Sequence, residues 1–193
     1  VGLGSGDVFH LNVSENKLEK LPKANPRQSE IYHLSYDKKR ETLWIGSIVL
    51  GKWQNNKMEA LFCTNDKGSI TSCMTRYFNL SNDGNRLVGM NYNGFAALDL
   101  ETEEFIHTRF STKFGDRVNG ILEDYDGNIW LGLNEGPHIW RDSAKVAINY
   151  LPSVLKTRTT RIMQMKDSTI VFGTSPRGIV LWKGDEHEVI DVG

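Results

Sequence analysis

Little in this chain speaks of bond-making chemistry. It carries two cysteines, Cys63 and Cys73, at a spacing that fits no metal site of the CxxC type. Read as members of strands in neighbouring sheets, they lie too far apart for a disulfide, which needs Cα atoms within about 7 Å. They read as small buried hydrophobes and leave the redox compartment open. Net charge is −1, with Lys and Arg scattered along the chain, so no basic stripe exists to hold a phosphate backbone and nucleic acid is excluded as a partner. No apolar run approaches the ~18 residues of a membrane span, so membrane contact by this segment is not expected. The five histidines, His10, His33, His107, His138 and His187, never fall at ligand spacing such as HxH or HxxxH. There is no GxSxG elbow and no Cys-His pairing to argue for a nucleophile. Gly2-Leu3-Gly4-Ser5-Gly6 fails as a dinucleotide fingerprint, because strands follow it. Capped stretches of helical period are missing, so helix content should be small. No signal peptide is visible and the chain begins at Val1, as a piece excised from something longer would.

What the chain does have is a cadence of glycines. Short apolar runs end at Gly2, Gly46, Gly89, Gly132 and Gly173, at steps of 44, 43, 43 and 41 residues. Asp7, Gly51, Gly94, Gly136 and Gly178 follow at almost fixed distance. Self-similarity at about 40–50 residues, with strands inside the period, predicts an all-β fold: a β-propeller of four-stranded antiparallel blades. Hydrophobic content of 39% and charged content of 24% suit a packed core.

Residues 117 to 151 show the period most plainly. Arg117 to Glu123 reads as a short inner strand, Asp124 to Asn128 as a tight turn, and Ile129 to Gly132 as a strand covered on both faces. Pro137 to Trp140 is a third strand and Lys145 to Leu151 an outer one. The same order assigns blades to residues 1–25 (incomplete), 30–66, 69–112, 116–152 and 158–193, about 4.5 blades in one propeller segment. In the 69–112 blade the inner strand is expected over Ile70 to Asn79. Glycine closes each second strand because the chain turns sharply there beside neighbouring backbone, where a side chain would clash. Trp44 and Trp130, two residues earlier, should fill the space between adjacent sheets. The first blade lacks its innermost strand, and none follows Val192 to supply it. Two arrangements remain: a partial arc cut from a larger ring, which is preferred, or an imperfect five-bladed closure.

Val118 to Gly132, read Val-Asn-Gly-Ile-Leu-Glu-Asp-Tyr-Asp-Gly-Asn-Ile-Trp-Leu-Gly, resembles the two-component regulator propeller repeat. Leu43-Trp44-Ile45-Gly46-Ser47 and Val171-Phe172-Gly173-Thr174 resemble the same segment, and Leu151-Pro152-Ser153 the linker that precedes it. Asn85 to Gly89 lacks the Trp, Leu133 replaces the usual Thr, and Gly136-Pro137 replaces paired glycines. The resemblance implies the periplasmic sensor region of a Bacteroidetes hybrid two-component histidine kinase, the ectodomain of an inner-membrane protein. It also implies an oligosaccharide ligand, the rest of the parent propeller and a second sensor copy as partners, and kinase chemistry carried elsewhere. The alternatives are a protein-interaction propeller of an exported assembly, or a propeller-type polysaccharide lyase or glycosidase.

Glu123, Asp124 and Asp126 invite a metal or acid–base reading. With Gly127 sixth in a calcium loop the first position would be Leu122, so the pattern fails, and the acids read as turn formers. No catalytic residue, metal ligand or cofactor is assigned. Ligand-binding residues are expected where loops joining second to third strands crowd one mouth of the central channel. These supply Asn91, Tyr92, Asn93, Asn134, Glu135 and Arg177, whose amides, ring and charged groups suit hydroxyl-rich or acidic sugars. Lys156, Arg158 and Arg161, assigned to the last interblade link, form a modest basic cluster.

Overall fold

The structure is a computed structural model that describes residues 5–25, 30–64, 70–71, 76–91, 94–109, 117–141, 144–147, 152–176, 178–184 and 186–190. Among them, strands account for nearly all regular structure, and the single helical turn is a 3-10 turn at Ser153–Leu155. A hairpin of β1 (Phe9–Asn12) and β2 (Lys17–Lys20) comes first. Four antiparallel four-stranded meanders follow in chain order. They are β3 (His33–Asp37), β4 (Thr42–Gly46), β5 (Leu50–Gln54) and β6 (Lys57–Leu61), then, after a short ribbon of β7 (Cys63–Thr64) and β8 (Ile70–Thr71), β9 (Tyr77–Leu80), β10 (Arg86–Asn91), β11 (Gly94–Asp99) and β12 (Phe105–Arg109). The third is β13 (Gly120–Glu123), β14 (Ile129–Leu133), β15 (Gly136–Arg141) and β16 (Ala144–Ala147); the fourth is β17 (Arg158–Gln164), β18 (Ile170–Ser175), β19 (Gly178–Lys183) and β20 (Glu186–Ile190).

The sheets stack side by side because each second strand is apolar on both faces. Trp44 and Leu50 meet Phe78, Leu87, Ala96 and Leu98 of the next sheet. That sheet turns Val88, Met90, Phe95 and Ala97 toward Ile121, Leu131 and Leu133. Trp130 then meets Ile162, Phe172, Val180 and Trp182, while Ile45 closes on Val8 and Leu21 of the first hairpin. Trp44 is 1% exposed and Trp130 4%, so both indoles lie between sheets. This is a propeller arc, and it is open. On the last sheet Ile162, Phe172 and Val180 face inward, whereas Met163 is 57% exposed and Met165 46%.

Three local expectations change. The strand expected over Ile70 to Asn79 is divided: Ile70–Thr71 pairs with Cys63–Thr64 in a separate ribbon, and the inner strand is Tyr77–Leu80. Cys63 is therefore not in the outer strand β6, and Cys73 lies outside the described residues. Gly132 sits inside β14 rather than at a sharp turn. A Cβ there would stand 2.9 Å from Thr159 Cγ2 and 3.0 Å from Thr159 O, so at Gly132 the next sheet's backbone passes close, whereas at Gly173 the nearest atoms belong to β17 of its own sheet. Arg158 and Arg161 belong to β17 rather than to a link.

Candidate functional site

The innermost strands β3, β9, β13 and β17 all start at the same end of the arc, and a cavity of about 280 Å³ opens there. Every sheet contributes to it. Tyr32 comes from just before β3, Arg76 from just before β9, Arg117 and Asn119 from just before β13, and Arg158, Thr160 and Arg161 from β17. None of the described residues lining it is acidic.

Its side chains are held in place by aromatic faces and backbone. The Arg76 guanidinium lies 4.6 Å from the centre of the Tyr32 ring, and that of Arg161 5.5 Å from the Tyr77 ring. Arg161 Nη1 donates to Asn119 O at 3.0 Å and to Thr160 O at 2.9 Å. Thr160 Oγ1 donates to Gly173 O at 3.0 Å. Below Arg161, His33 packs edge-on to Phe78 with centroids 4.8 Å apart. Burial holds its imidazole below the usual histidine range, and the Arg161 charge adds to that.

Of the six residues expected from the loops, none is among the described residues lining the cavity, and Asn134 stands beside it through Asn119. Asn119 is fixed against β14 by its backbone N–H to Gly132 O at 2.8 Å, and its Nδ2 donates to Asn134 Oδ1 at 3.1 Å. Glu135 faces the ring of His138 on β15, Oε1 to Nε2 4.0 Å, and is not among the lining residues. Asn91 ends β10 opposite Gly94, with only its backbone described. Tyr92, Asn93 and Arg177 lie outside the described residues.

The arginines were the larger omission, and a signal for them exists. Tyr32, Arg76, Arg117 and Arg158 recur one per repeat, 14, 13, 15 and 15 residues before Gly46, Gly89, Gly132 and Gly173, so they share the strand entrance without sharing one exact phase. Each Arg alone reads as a solvated charge; only their superposition on the period places them in a ring.

At the other end of the inner strands, Ser35, Asn79 and Glu123 line a second cavity of about 340 Å³. Glu123 Oε1 accepts from Arg86 Nη2 at 3.1 Å, while Oε2 has no hydrogen-bond partner among the described residues. Burial pushes its carboxyl up from the usual range. Asp124, beside it, is a turn organiser. Its carboxylate accepts from the backbone N–H groups of Asp126 (3.0 Å) and Asn128 (2.8 Å), from Asn128 Nδ2 and from Trp130 Nε1 (2.7 Å).

Residues 112–135, the stretch that supplies Arg117, Asn119 and Asn134, match the model of the two component regulator propeller. The stretch resembles one such repeat. Its match ends at the β14–β15 turn, so the repeat includes both the turn built on Asp124 and the amide pair at the mouth. No curated protein sequence matches the chain. Among solved structures it is similar to the extracellular domain of BT4673 from B. thetaiotaomicron, described as a one component or hybrid two component system. There the identity is 14%, the TM-score 0.71, and the match covers 93% of this chain and 25% of that one. Virginiamycin B lyase from Staphylococcus aureus aligns with TM-score 0.63 at 13% identity, over 98% of this chain and 64% of the lyase. PorZ, a surface component of the type-IX secretion system of Porphyromonas gingivalis, aligns with TM-score 0.66 at 15% identity, over 96% of this chain and 31% of PorZ. The chain thus spans about a quarter of the BT4673 extracellular domain, and at these identities the likeness is one of fold.

Proposed function

We propose that the chain is a ligand-recognising, non-catalytic part of the extracytoplasmic propeller of a hybrid two-component sensor, and that its ligand is an oligosaccharide. The observation that carries the reading is the match to the regulator propeller model at 112–135, because the same stretch supplies Arg117 and Asn119 to the mouth cavity and Asn134, which accepts from Asn119, beside it. The likeness to an extracellular domain supports an extracytoplasmic, periplasmic setting, and no helix among the described residues is long and apolar enough to cross a membrane. Cavity size and the mixture of amide, hydroxyl and guanidinium donors suit a ligand rich in hydroxyl groups.

In this reading the mouth ligand is shared by four sheets. Its binding favours one relative packing of propellers within a homodimer, and differential affinity for two packings biases a kinase carried by the longer protein. A thermal-shift screen of oligosaccharides against the full-length protein tests the proposal. A ligand at a hundred times its Kd should raise stability by about 2.7 kcal/mol. If no glycan in a broad panel shifts the transition, the sensing role is wrong.

A further inference from the structure

Four arginines line the mouth cavity, Arg76, Arg117, Arg158 and Arg161, and none of the described residues lining it is acidic. Arginine does not lose its proton at any physiological pH, so this positive field is permanent. The acceptors that hold Arg161 are the neutral carbonyls of Asn119 and Thr160, which orient its fork without cancelling its charge. Tyr32 and Tyr77 give Arg76 and Arg161 flat faces to rest on, a further neutral support. The guanidinium forks of Arg158 and Arg161 match an anion with planar or tetrahedral oxygens, which accept from such forks. Arg76, Arg117 and Arg158 come from three successive repeats, each at or just before the start of its inner strand.

We propose that the mouth recognises an acidic sugar: a carboxylate or sulfate ester gripped by Arg158 and Arg161, with Asn119 and Thr160 donating to or accepting from neighbouring hydroxyls. The proposal rests on the ligand-sensing reading above and adds to it the charge of the ligand. Depression of the His33 pKa, to which Arg161 contributes, is in keeping with a positive field at this spot.

Isothermal titration of the full-length protein with digalacturonate, a sulfated chondroitin disaccharide and neutral lactose tests it. The expected result is binding of at least one anionic disaccharide and none of lactose, with affinity falling as NaCl is raised. Digalacturonate carries carboxylates alone and the chondroitin disaccharide a carboxylate and a sulfate ester, so binding of digalacturonate shows that a carboxylate suffices and binding of the chondroitin disaccharide alone points to the sulfate. Arg158→Gln, at an exposed strand end, should weaken binding by about tenfold or more while leaving the melting temperature unchanged. Arg161→Gln should weaken binding likewise, with a lower melting temperature because it also loses the bonds to Asn119 O and Thr160 O, and Glu135→Gln, away from the lining, should leave binding unchanged. Failure of both anionic disaccharides to bind overturns the proposal. So does binding that is unaffected by Arg158→Gln and by salt. If neutral glycans bind equally well or alone, the charge inference falls while the sensing role stands.

Discussion

Asp124 is where one substitution should do most damage for its size. It is 3% exposed, and its carboxylate ties the Asp124–Asn128 turn to the indole of Trp130, itself 4% exposed and wedged between two sheets. In Asp124→Ala the turn amides of Asp126 and Asn128 are reached by water, but the Trp130 N–H is left buried without an acceptor. A hydrogen bond to a charged group contributes about 1.5–3 kcal/mol, and an orphaned buried donor costs about 1–3 kcal/mol. Since these overlap, we expect a loss of about 3–4 kcal/mol, a large share of a typical domain's ~5–15 kcal/mol. Urea unfolding followed by circular dichroism reads it as a lower midpoint at unchanged slope. Trp130→Phe keeps a ring between the sheets and removes the donor, so the double variant isolates the pair, with an expected coupling of about 1–2 kcal/mol. Asp126→Ala, at an exposed position of the same turn, should stay within about 0.5 kcal/mol. Equal losses for Asp124→Ala and Asp126→Ala, or a coupling near zero, would refute the argument.

Gly136 has φ +127°, and a Cβ there would stand 2.5 Å from Leu155 O, so Gly136→Ala should cost more than Gly127→Ala, where φ is +80° but the space is open; thermal melts of the two variants rank them. Ile162→Ala, in the sealed face of the last sheet, should lose about 2–5 kcal/mol, whereas Met163→Ala, next to it on the open face, should lose under about 1 kcal/mol in the isolated chain. The half-buried His33 has a folded pKa below its free value of 6.5, so the stability it confers is present above that pH and lost as pH falls through the folded pKa. A His33→Gln variant should flatten that part of the stability–pH profile. The Glu123 carboxyl, raised by burial above its free 4.5, acts in the opposite sense. Stability is greatest below that pH and declines as pH rises through the folded value, and Glu123→Gln should remove the decline. An unchanged profile in either variant contradicts the assignment.

The stack of sheets was legible because it is written in a repeated local code. Apolar runs such as Ile129 to Gly132 have no polar alternation, and the hairpin signals Asp83-Gly84 and Asp126-Gly127-Asn128 carry their own turn chemistry. The role of Asp124 as a turn former was also readable from its neighbours, though not its bond to Trp130 Nε1, since spacing does not show which way an indole points. Trp44 makes the contrast: at the corresponding place Asp37 pairs with Arg40 at 3.0 Å, and Trp44 Nε1 has no hydrogen-bond partner among the described residues. The division of the Ile70 to Asn79 stretch was not legible, because a two-residue pairing such as that of Ile70–Thr71 is decided by contact rather than by pattern. The mouth was half legible. Loop position led to Asn134, but Arg76 and Arg117 gain meaning only when residues some forty apart in sequence meet around an axis.

Tyr32, Arg76, Arg117 and Arg158 stand one per repeat, 13 to 15 residues before the glycine of the second strand, at partly or fully solvated strand entrances where packing imposes little on the choice. Such a rim can be respelled one letter at a time without disturbing the interior, whose demands fall on other positions. A lineage of related arcs can therefore diverge in what they recognise while keeping the same frame. The vocabulary of the rim, rather than overall similarity, is the place to compare them.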